Sequence, residues 1–188
     1  MKKKVPVLNS MEKTRDSHFL KNYTLNYTNT AGNEKIYEMV SYFDHESADQ
    51  IGSRATGVVI VGYHEDKMLL CKEFRMGVNA FIYNLPAGHI DEGETVLECA
   101  RRELYEETGL TIVEFIDILP PSFASPDMSD SSAWLVMARV EGELGDYSEE
   151  NEWIQPAFYS REQVAQMLKE ETFSGRSQVA AWFFAHGR

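Results

Sequence analysis

The chain has 188 residues, of which 43% are hydrophobic and 12% aromatic, enough for one domain with a real core and a small appendage. Its 18 basic residues face 30 acidic ones, and the formal net charge of −12 argues against a nucleic acid polymer or an anionic membrane as partner. No apolar run reaches the roughly 18–20 residues of a membrane span, and none follows the basic start as a signal peptide requires.

The N-terminal part of the chain is predicted to form an arm and a β-hairpin. Residues 1–17 are polar, and we expect an irregular or mobile arm there. Leu25 and Tyr27 alternate with polar residues, NTAGN supplies a turn, and EKIYEMVSYF predicts a second strand. The loop DHESADQIGSR follows. We therefore predict an N-terminal region over residues 1–52 and a main domain over residues 53–188.

The main domain alternates predicted strands with predicted helices. Strands are expected at ATGVVIVGY, MLLCKEF, FIYNLPAG, TIVEFIDIL, SAWLVMARV and WIQPAFY, with PPSFASPDMSD as a long loop. Two helices close the chain, one beginning at Ser160 with Gln163 in a capping box, the other spanning about Gln178 to Ala185. This order indicates an α/β fold with a mixed sheet between helices.

Two cysteines, Cys71 and Cys99, stand outside any CxxC pattern, which excludes the usual zinc and redox motifs. Two separate thiols are typical of a reducing compartment, although the pair could also form a single disulfide. We therefore expect a cytoplasmic protein.

A further helix is predicted from Val96 to Thr108. Thr95 with Glu98 three residues later forms a capping-box pattern, and Gly109 suits the left-handed residue after the helix. Projection at about 100° per residue gives one apolar stripe, formed by Val96, Leu97, Ala100 and Leu104. In the same projection the side chains of Arg101, Arg102 and Tyr105 point away from this stripe.

Three glutamates, Glu103, Glu106 and Glu107, are predicted to share a ridge at the margin of that stripe. Like charges at this spacing repel, and uncompensated charge beside a core is costly. One interpretation is a solvated charged face with Arg102 and Glu106 as an i,i+4 ion pair. The other is a site for a hard divalent cation, because carboxylates, water and phosphate oxygens are ligands of Mg²⁺ or Mn²⁺.

The whole stretch from Gly88 to Leu110 reads G-x5-E-x7-R-E-U-x-E-E-x-G-U, with U an apolar residue. It resembles the Nudix box at every defined position. The resemblance implies a Nudix α/β/α sandwich over about residues 53–188 and hydrolysis of a nucleoside diphosphate linked to another group. Divalent metals would neutralise the phosphate charge and lower the pKa of a bound water.

The resemblance also implies roles for single residues. Glu103, Glu106 and Glu107 would hold the metal, with the backbone carbonyl of Ala87 as a further ligand. Glu94 and Arg102 would support the geometry of the loop and the helix.

Segments outside the box resemble ADP-ribose pyrophosphatases. These are KEFR, the strand ending in LPAG, and Pro126, which stands 16 residues after the box. The resemblance implies ADP-ribose or a similar nucleoside diphosphate sugar as substrate. It also implies a homodimer in which the N-terminal region exchanges between subunits and builds the nucleoside site. The alternatives are another Nudix specificity, such as GDP-mannose or an oxidised nucleotide, and a non-catalytic nucleotide sensor.

Five residues outside the box, Pro126 among them, are candidates for substrate binding by the same resemblance. Arg75 would contact the phosphates or the terminal ribose, and Arg54 could pair with a phosphate; the plain alternatives are a strand-end arginine and a loop-end arginine. Phe19 and Tyr37 could sandwich adenine between two rings, or could simply pack in the hairpin.

A general base is expected from a loop after the box, DYSEENEWI. Among Glu149, Glu150 and Glu152, the last aligns best because it directly precedes an apolar strand. The alternative is an ordinary exposed acid.

Two positions depart from the pattern of the subfamily. Asn84 stands where a glutamate usually precedes LPAG, and Asp127 stands where the proline of the loop is usually followed by glycine. Both departures put in doubt the group that lies beyond the diphosphate.

Overall fold

The structure is a computed structural model that describes residues 4–145 and 153–187. The chain divides into two compact units. The first comprises Met1–Thr56 and Pro121–Ala133, and the second comprises Gly57–Pro120 and Trp134–Arg188. The segment Pro121–Ala133 thus groups with the N-terminal region.

The first unit contains a three-stranded antiparallel sheet in the order β1-β2-β3. Its strands are β1 (Val7–Asp16), β2 (Lys21–Thr28) and β3 (Glu34–Ser41). The predicted hairpin is confirmed as β2 and β3. The prediction of an irregular arm was wrong, because β1 pairs along the whole of β2. Register shifts at Leu8/Ser10 and Lys13/Arg15 break the two-residue period that identifies a strand in a sequence.

A small core holds the first unit together around Tyr23, Leu25 and Met39. The segment Pro121–Ala133 is tied to this sheet by two kinds of contact. The backbone N–H of Val40 donates to the carbonyl of Met128 at 2.9 Å. The buried pair of His45 Nε2 and Asp130 Oδ2 is separated by 2.8 Å. These contacts explain why a segment remote in sequence belongs to this unit.

The second unit is built on a seven-stranded sheet in the order β10-β5-β4-β9-β8, with β6 paired to β5 and β7 paired to β4. The strands are β4 (Gly57–His64), β5 (Lys67–Arg75), β6 (Ala80–Asn84), β7 (Ala87–His89), β8 (Thr111–Phe123), β9 (Ser132–Glu141) and β10 (Ile154–Tyr159). The helices are α1 (Val96–Thr108), α2 (Arg161–Glu170) and α3 (Gly175–Ala185). The predicted α/β class is confirmed.

Three predicted elements differ from the structure. The single strand predicted at FIYNLPAG is two strands, β6 paired with β5 and β7 paired with β4. Strand β8 continues through Pro120 and Pro121 to Phe123, where a loop was expected. The edge position of β8 accommodates the proline whose nitrogen faces away from β9, and the adjacent proline costs the ladder one hydrogen bond. Helix α3 begins at Gly175, earlier than Gln178, because Ser174 takes the N-cap position.

Helix α1 begins and ends at the predicted residues. The Thr95 hydroxyl accepts from the Glu98 N–H in a complete capping box, and Gly109 adopts a φ of 75°. The predicted apolar stripe was partly wrong: Leu97 is 40% exposed, whereas Cys99 is fully buried. The helix packs into a core that contains Val58, Ile60, Leu69, Cys99, Ala100, Leu104, Leu110, Ile112, Val136, Ala138 and Val140.

Both cysteines are free and buried, so the disulfide alternative is not realised. Among the helices that the structure describes, none is long and apolar enough to cross a bilayer.

Candidate active site

The acidic side chains of α1 lie against β7, the short strand that precedes the helix. Strand β7 pairs with β4, so that Val58 stands opposite Gly88 and Gly57 opposite His89. A Cβ atom on Gly88 would fall 1.8 Å from Cδ of Glu103, and one on Gly57 would fall 2.0 Å from the Gly88 carbonyl oxygen. Only glycine leaves room for this approach, so Gly88 places the Glu103 carboxylate directly on the backbone of β7.

Glu107 binds the same strand from the buried side of the helix. It is only 8% exposed, and its Oε2 accepts a hydrogen bond from the backbone N–H of Ala87 at 3.1 Å. Glu106 lies on the outer side, with half of its side chain exposed. The structure therefore brings the three predicted acids together with Ala87 at one end of β7.

Arg102 lies among these acids, contrary to the prediction that it points elsewhere. Its guanidinium donates to Glu103 Oε1 at 2.8 Å, to Glu106 Oε2 at 3.1 Å and to the His89 carbonyl at 2.9 Å. It also binds both oxygens of Glu94, at 2.9 and 2.8 Å. The i,i+4 pair with Glu106 does form, but as one arm of a larger network. One cation therefore holds three carboxylates in place.

The electrostatics of this network keep both partners ionised. The hydrogen bonds from Arg102 lower the pKa of Glu94 from 4.5 to about 2. Conversely, the hydrogen bond to Glu94, followed by those to Glu103 and Glu106, raises the pKa of Arg102 further above its usual range. Glu94 therefore anchors Arg102, as the sequence resemblance implied.

The donor set suits a hard divalent cation, because it consists of carboxylates and backbone oxygens. Among residues 4–145 and 153–187, no three His, Cys, Asp or Glu side chains stand close enough to hold a metal ion as they are. Arg102 instead bridges Glu103 and Glu106. A divalent cation at this position would require Arg102 to withdraw towards Glu94, with water or substrate oxygens completing the ligands.

Arg75 ends β5 with 59% of its side chain exposed, and its Nε lies 3.5 Å from Oε1 of the buried Glu73. Desolvation and then the Arg75 charge lower the pKa of His89, the last residue of β7. Glu73 also accepts from Asn84 Nδ2 at 2.6 Å. The hydrogen bond between Asn84 and Glu73 was not predicted. The sequence identified Asn84 only as a departure from the subfamily pattern.

Two predicted substrate residues meet in the first unit. Tyr37 and Pro126 line a cavity of about 450 Å³, together with Leu25, Tyr27, Met39, Ile51 and Phe123. The Tyr37 hydroxyl donates a short hydrogen bond to the Asp127 carbonyl. The walls are mostly apolar, so this cavity suits a flat, weakly polar group.

Phe19 and Arg54 lie elsewhere in the first unit. Phe19 is 74% exposed and contacts the ring of His18. The guanidinium carbon of Arg54 lies 3.8 Å from the centroid of the Phe43 ring, in a cation–π contact. Glu149, Glu150 and Glu152, the candidate general bases, lie outside the described residues.

Comparison with known proteins gives a consistent result. A model of the NUDIX domain matches residues 53–183. The chain is 32% identical to putative nudix hydrolase 2 of Caenorhabditis elegans over 103 residues, which are 53% of this chain but only 46% of that protein. It is 28% identical to the ADP-ribose pyrophosphatase of Escherichia coli (strain K12) over 156 residues, 76% of this chain and 74% of that one.

A solved structure shares the fold. The crystal structure of an ADP compounds hydrolase superposes with a TM-score of 0.73, covering 98% of this chain and 94% of that one at 24% sequence identity.

Proposed function

Because the chain belongs to the NUDIX domain family, we propose that it hydrolyses the diphosphate bond of ADP-ribose or a similar nucleoside diphosphate sugar, with a divalent metal as cofactor. The products are a nucleoside monophosphate and a sugar phosphate. The observation that carries the proposal is the cluster of Glu103, Glu106 and Glu107 against β7, with Arg102 between two of them.

The charges of the cluster fit this chemistry. A diphosphate is strongly negative, and the three carboxylates on Arg102 together with Glu107 would repel it unless further cations bind. When bound, Mg²⁺ or Mn²⁺ supplies charge neutralisation at the diphosphate and makes water more acidic. Glu103, Glu106 and Glu107 are the residues that would hold it, with the Ala87 carbonyl as a further ligand. Arg102 keeps the side chains of Glu103 and Glu106 oriented, because Glu94 anchors its other face, and the Ala87 N–H holds Glu107.

Residues outside the cluster provide recognition in this proposal. The exposed guanidinium of Arg75 binds the diphosphate, and Arg54 supplies a second cation, held by the ring of Phe43. Tyr37, Pro126 and Phe19 receive the nucleoside, which agrees with the apolar cavity beside the first two. Glu152 acts as the general base.

The choice of an ADP-linked substrate draws on the similarity to the E. coli ADP-ribose pyrophosphatase, which extends over 76% of this chain. We further propose a homodimer in which the N-terminal region exchanges between subunits, and a cytoplasmic location, which suits two free thiols.

A substrate panel tests the proposal. ADP-ribose, GDP-mannose and an oxidised nucleoside triphosphate are incubated with Mg²⁺ or Mn²⁺, and the nucleoside monophosphate that forms is measured by chromatography. We expect ADP-ribose to be hydrolysed fastest. Glu106→Gln should lower the rate by roughly a hundredfold or more while the fold persists, because its side chain is half exposed. Glu114→Gln, an exposed acid on β8, is the matched control.

Two outcomes would contradict this assignment. Failure to hydrolyse any diphosphate with either metal would refute the activity. Wild-type turnover by Glu106→Gln would refute the metal site while leaving the substrate class open.

A further inference from the structure

A buried carboxylate stands next to the proposed diphosphate-binding arginine. Glu73 lies on β5 and is only 6% exposed. A buried charge must be stabilised by hydrogen bonds or by an opposite charge. Its Oε1 receives Asn84 Nδ2 at 2.6 Å, and Arg75 Nε lies 3.5 Å from the same oxygen. The neutral amide and the charged arginine thus share one acceptor atom.

The orientation of the Asn84 amide is fixed by its hydrogen-bond partners. Its Oδ1 accepts hydrogen bonds from the hydroxyls of Ser174 and Ser177, both at 2.7 Å. An ionised carboxylate can only accept, so the NH₂ group of Asn84 must face Glu73, and its oxygen then faces the two hydroxyls. Ser177 is fully buried and also accepts from the Leu85 N–H at 3.0 Å.

The two serines are in turn held by the backbone. The N–H of Ser174 donates to the Tyr83 carbonyl at 3.1 Å, and the Tyr83 N–H donates to the Thr172 carbonyl at 2.7 Å. The start of α3 therefore lies along β6 in a fixed register, and the chain of contacts runs from α3 through Asn84 and Glu73 to Arg75.

We propose that Asn84 is a positioning residue for Arg75. It satisfies Glu73 with an uncharged donor, so that the carboxylate holds the Arg75 Nε while the exposed guanidinium remains available to an anionic diphosphate. A carboxylate at position 84 would add a negative charge 2.6 Å from Glu73, draw Arg75 inward and weaken anion binding. The inference rests on the proposed role of Arg75 in binding the diphosphate.

The test is a double-mutant cycle on ligand binding. Dissociation constants for ADP, a free nucleoside diphosphate, are measured by calorimetry for the wild type, Asn84→Asp, Arg75→Gln and the double variant. We expect Asn84→Asp and Arg75→Gln each to raise the dissociation constant for ADP about tenfold, because the charged hydrogen bond from Arg75 to the diphosphate is impaired or lost. In the Arg75→Gln background, Asn84→Asp should have no further effect, which a general structural defect would not reproduce.

Two control variants distinguish the effect of a new charge at position 84 from a general structural defect. Gln178→Glu makes the same amide-to-acid change at an exposed position of α3 and should leave ADP binding unchanged. Ser174→Ala removes one of the two hydroxyls that donate to Asn84. It should raise the dissociation constant for ADP by a smaller factor than Asn84→Asp does. If Asn84→Asp does not fold, this variant carries the test in both backgrounds.

The outcomes distinguish this inference from the proposed activity. Suppose that the wild type hydrolyses ADP-ribose. The positioning role is then overturned, and the activity is not, if Asn84→Asp leaves the dissociation constant for ADP unchanged. An equal loss of ADP affinity in the wild-type and Arg75→Gln backgrounds leads to the same conclusion. If the wild type hydrolyses no diphosphate, the activity is refuted, and the ADP titrations still decide whether Asn84 acts through Arg75. In turnover, a raised KM with an unchanged kcat supports the role, and a fall in kcat alone overturns it.

Discussion

Replacing Gly88 by alanine is expected to dislodge Glu103 from the acidic cluster. The new Cβ atom would lie 1.8 Å from Cδ of Glu103 and 2.0 Å from each of its oxygens. Carbon atoms pack at about 3.5–4.0 Å, so the carboxylate must move by roughly 2 Å. Its 2.8 Å hydrogen bond to Arg102 would then be lost or badly stretched.

The size of this displacement sets the expected change in two measured quantities, the melting temperature and the rate of hydrolysis. Overpacking costs about 1–3 kcal/mol of unfolding free energy, and the low end applies here because the obstructing atoms are the far end of a flexible side chain. For a chain of this size a loss of about 1 kcal/mol lowers Tm by about 2–4 °C. Hydrolysis of ADP-ribose should fall by about a hundredfold, because a displacement of an ångström or more at a reacting centre has an effect of that order.

Two further variants isolate the steric cause. Gly175→Ala makes the same change where a Cβ meets nothing within 4 Å, and it should preserve both Tm and turnover. Gly88→Ala combined with Glu103→Asp shortens the displaced side chain and should recover most of the lost Tm without recovering activity. A Gly88→Ala protein with wild-type Tm and turnover would refute the close approach of Glu103 to β7.

Two other predictions concern the acidic network and the assembly. Arg102→Gln removes the partner that lowers the pKa of Glu94 to about 2, an interaction that stabilises the fold above pH 4.5 and is lost as the pH falls towards 2. The variant should therefore unfold at a lower temperature at pH 7 and lose less stability between pH 5 and 2 than the wild type; Arg139→Gln, which breaks an exposed pair, should keep the wild-type profile, and a wild-type profile in Arg102→Gln would disprove the coupling. Light scattering at micromolar concentration should give the mass of a dimer, and a monomer would rule out the exchanged N-terminal region.

Helix α1 could be predicted to the residue because all its signals are local. The capping box of Thr95 and Glu98 and the left-handed Gly109 act within one turn of each end. The direction of Arg102 could not be predicted from the helix alone. Its partner Glu94 lies in the preceding loop, and only the loop conformation places that carboxylate beside the guanidinium.

Contacts between segments that are distant in the chain could not be predicted from the sequence, for a different reason. Asn84 was visible as an unusual residue, but its partners Ser174 and Ser177 lie 90 and 93 positions away. Nothing in a single sequence pairs such positions. Strand β1 was missed because its bulges place Leu8 and Met11 on the inner side at a spacing of three.

The proline pair in β8 also affects how the protein behaves in concentrated solution. A 13-residue strand at the edge of a sheet offers its unpaired backbone groups to strands of other molecules. The exposed side chains of Val113, Ile116 and Leu119 would favour such pairing. Pro120 and Pro121 have no N–H to donate, and because consecutive residues face opposite sides, one of them removes a donor from the open edge. The proline pair therefore shortens the length of edge along which a foreign strand could pair.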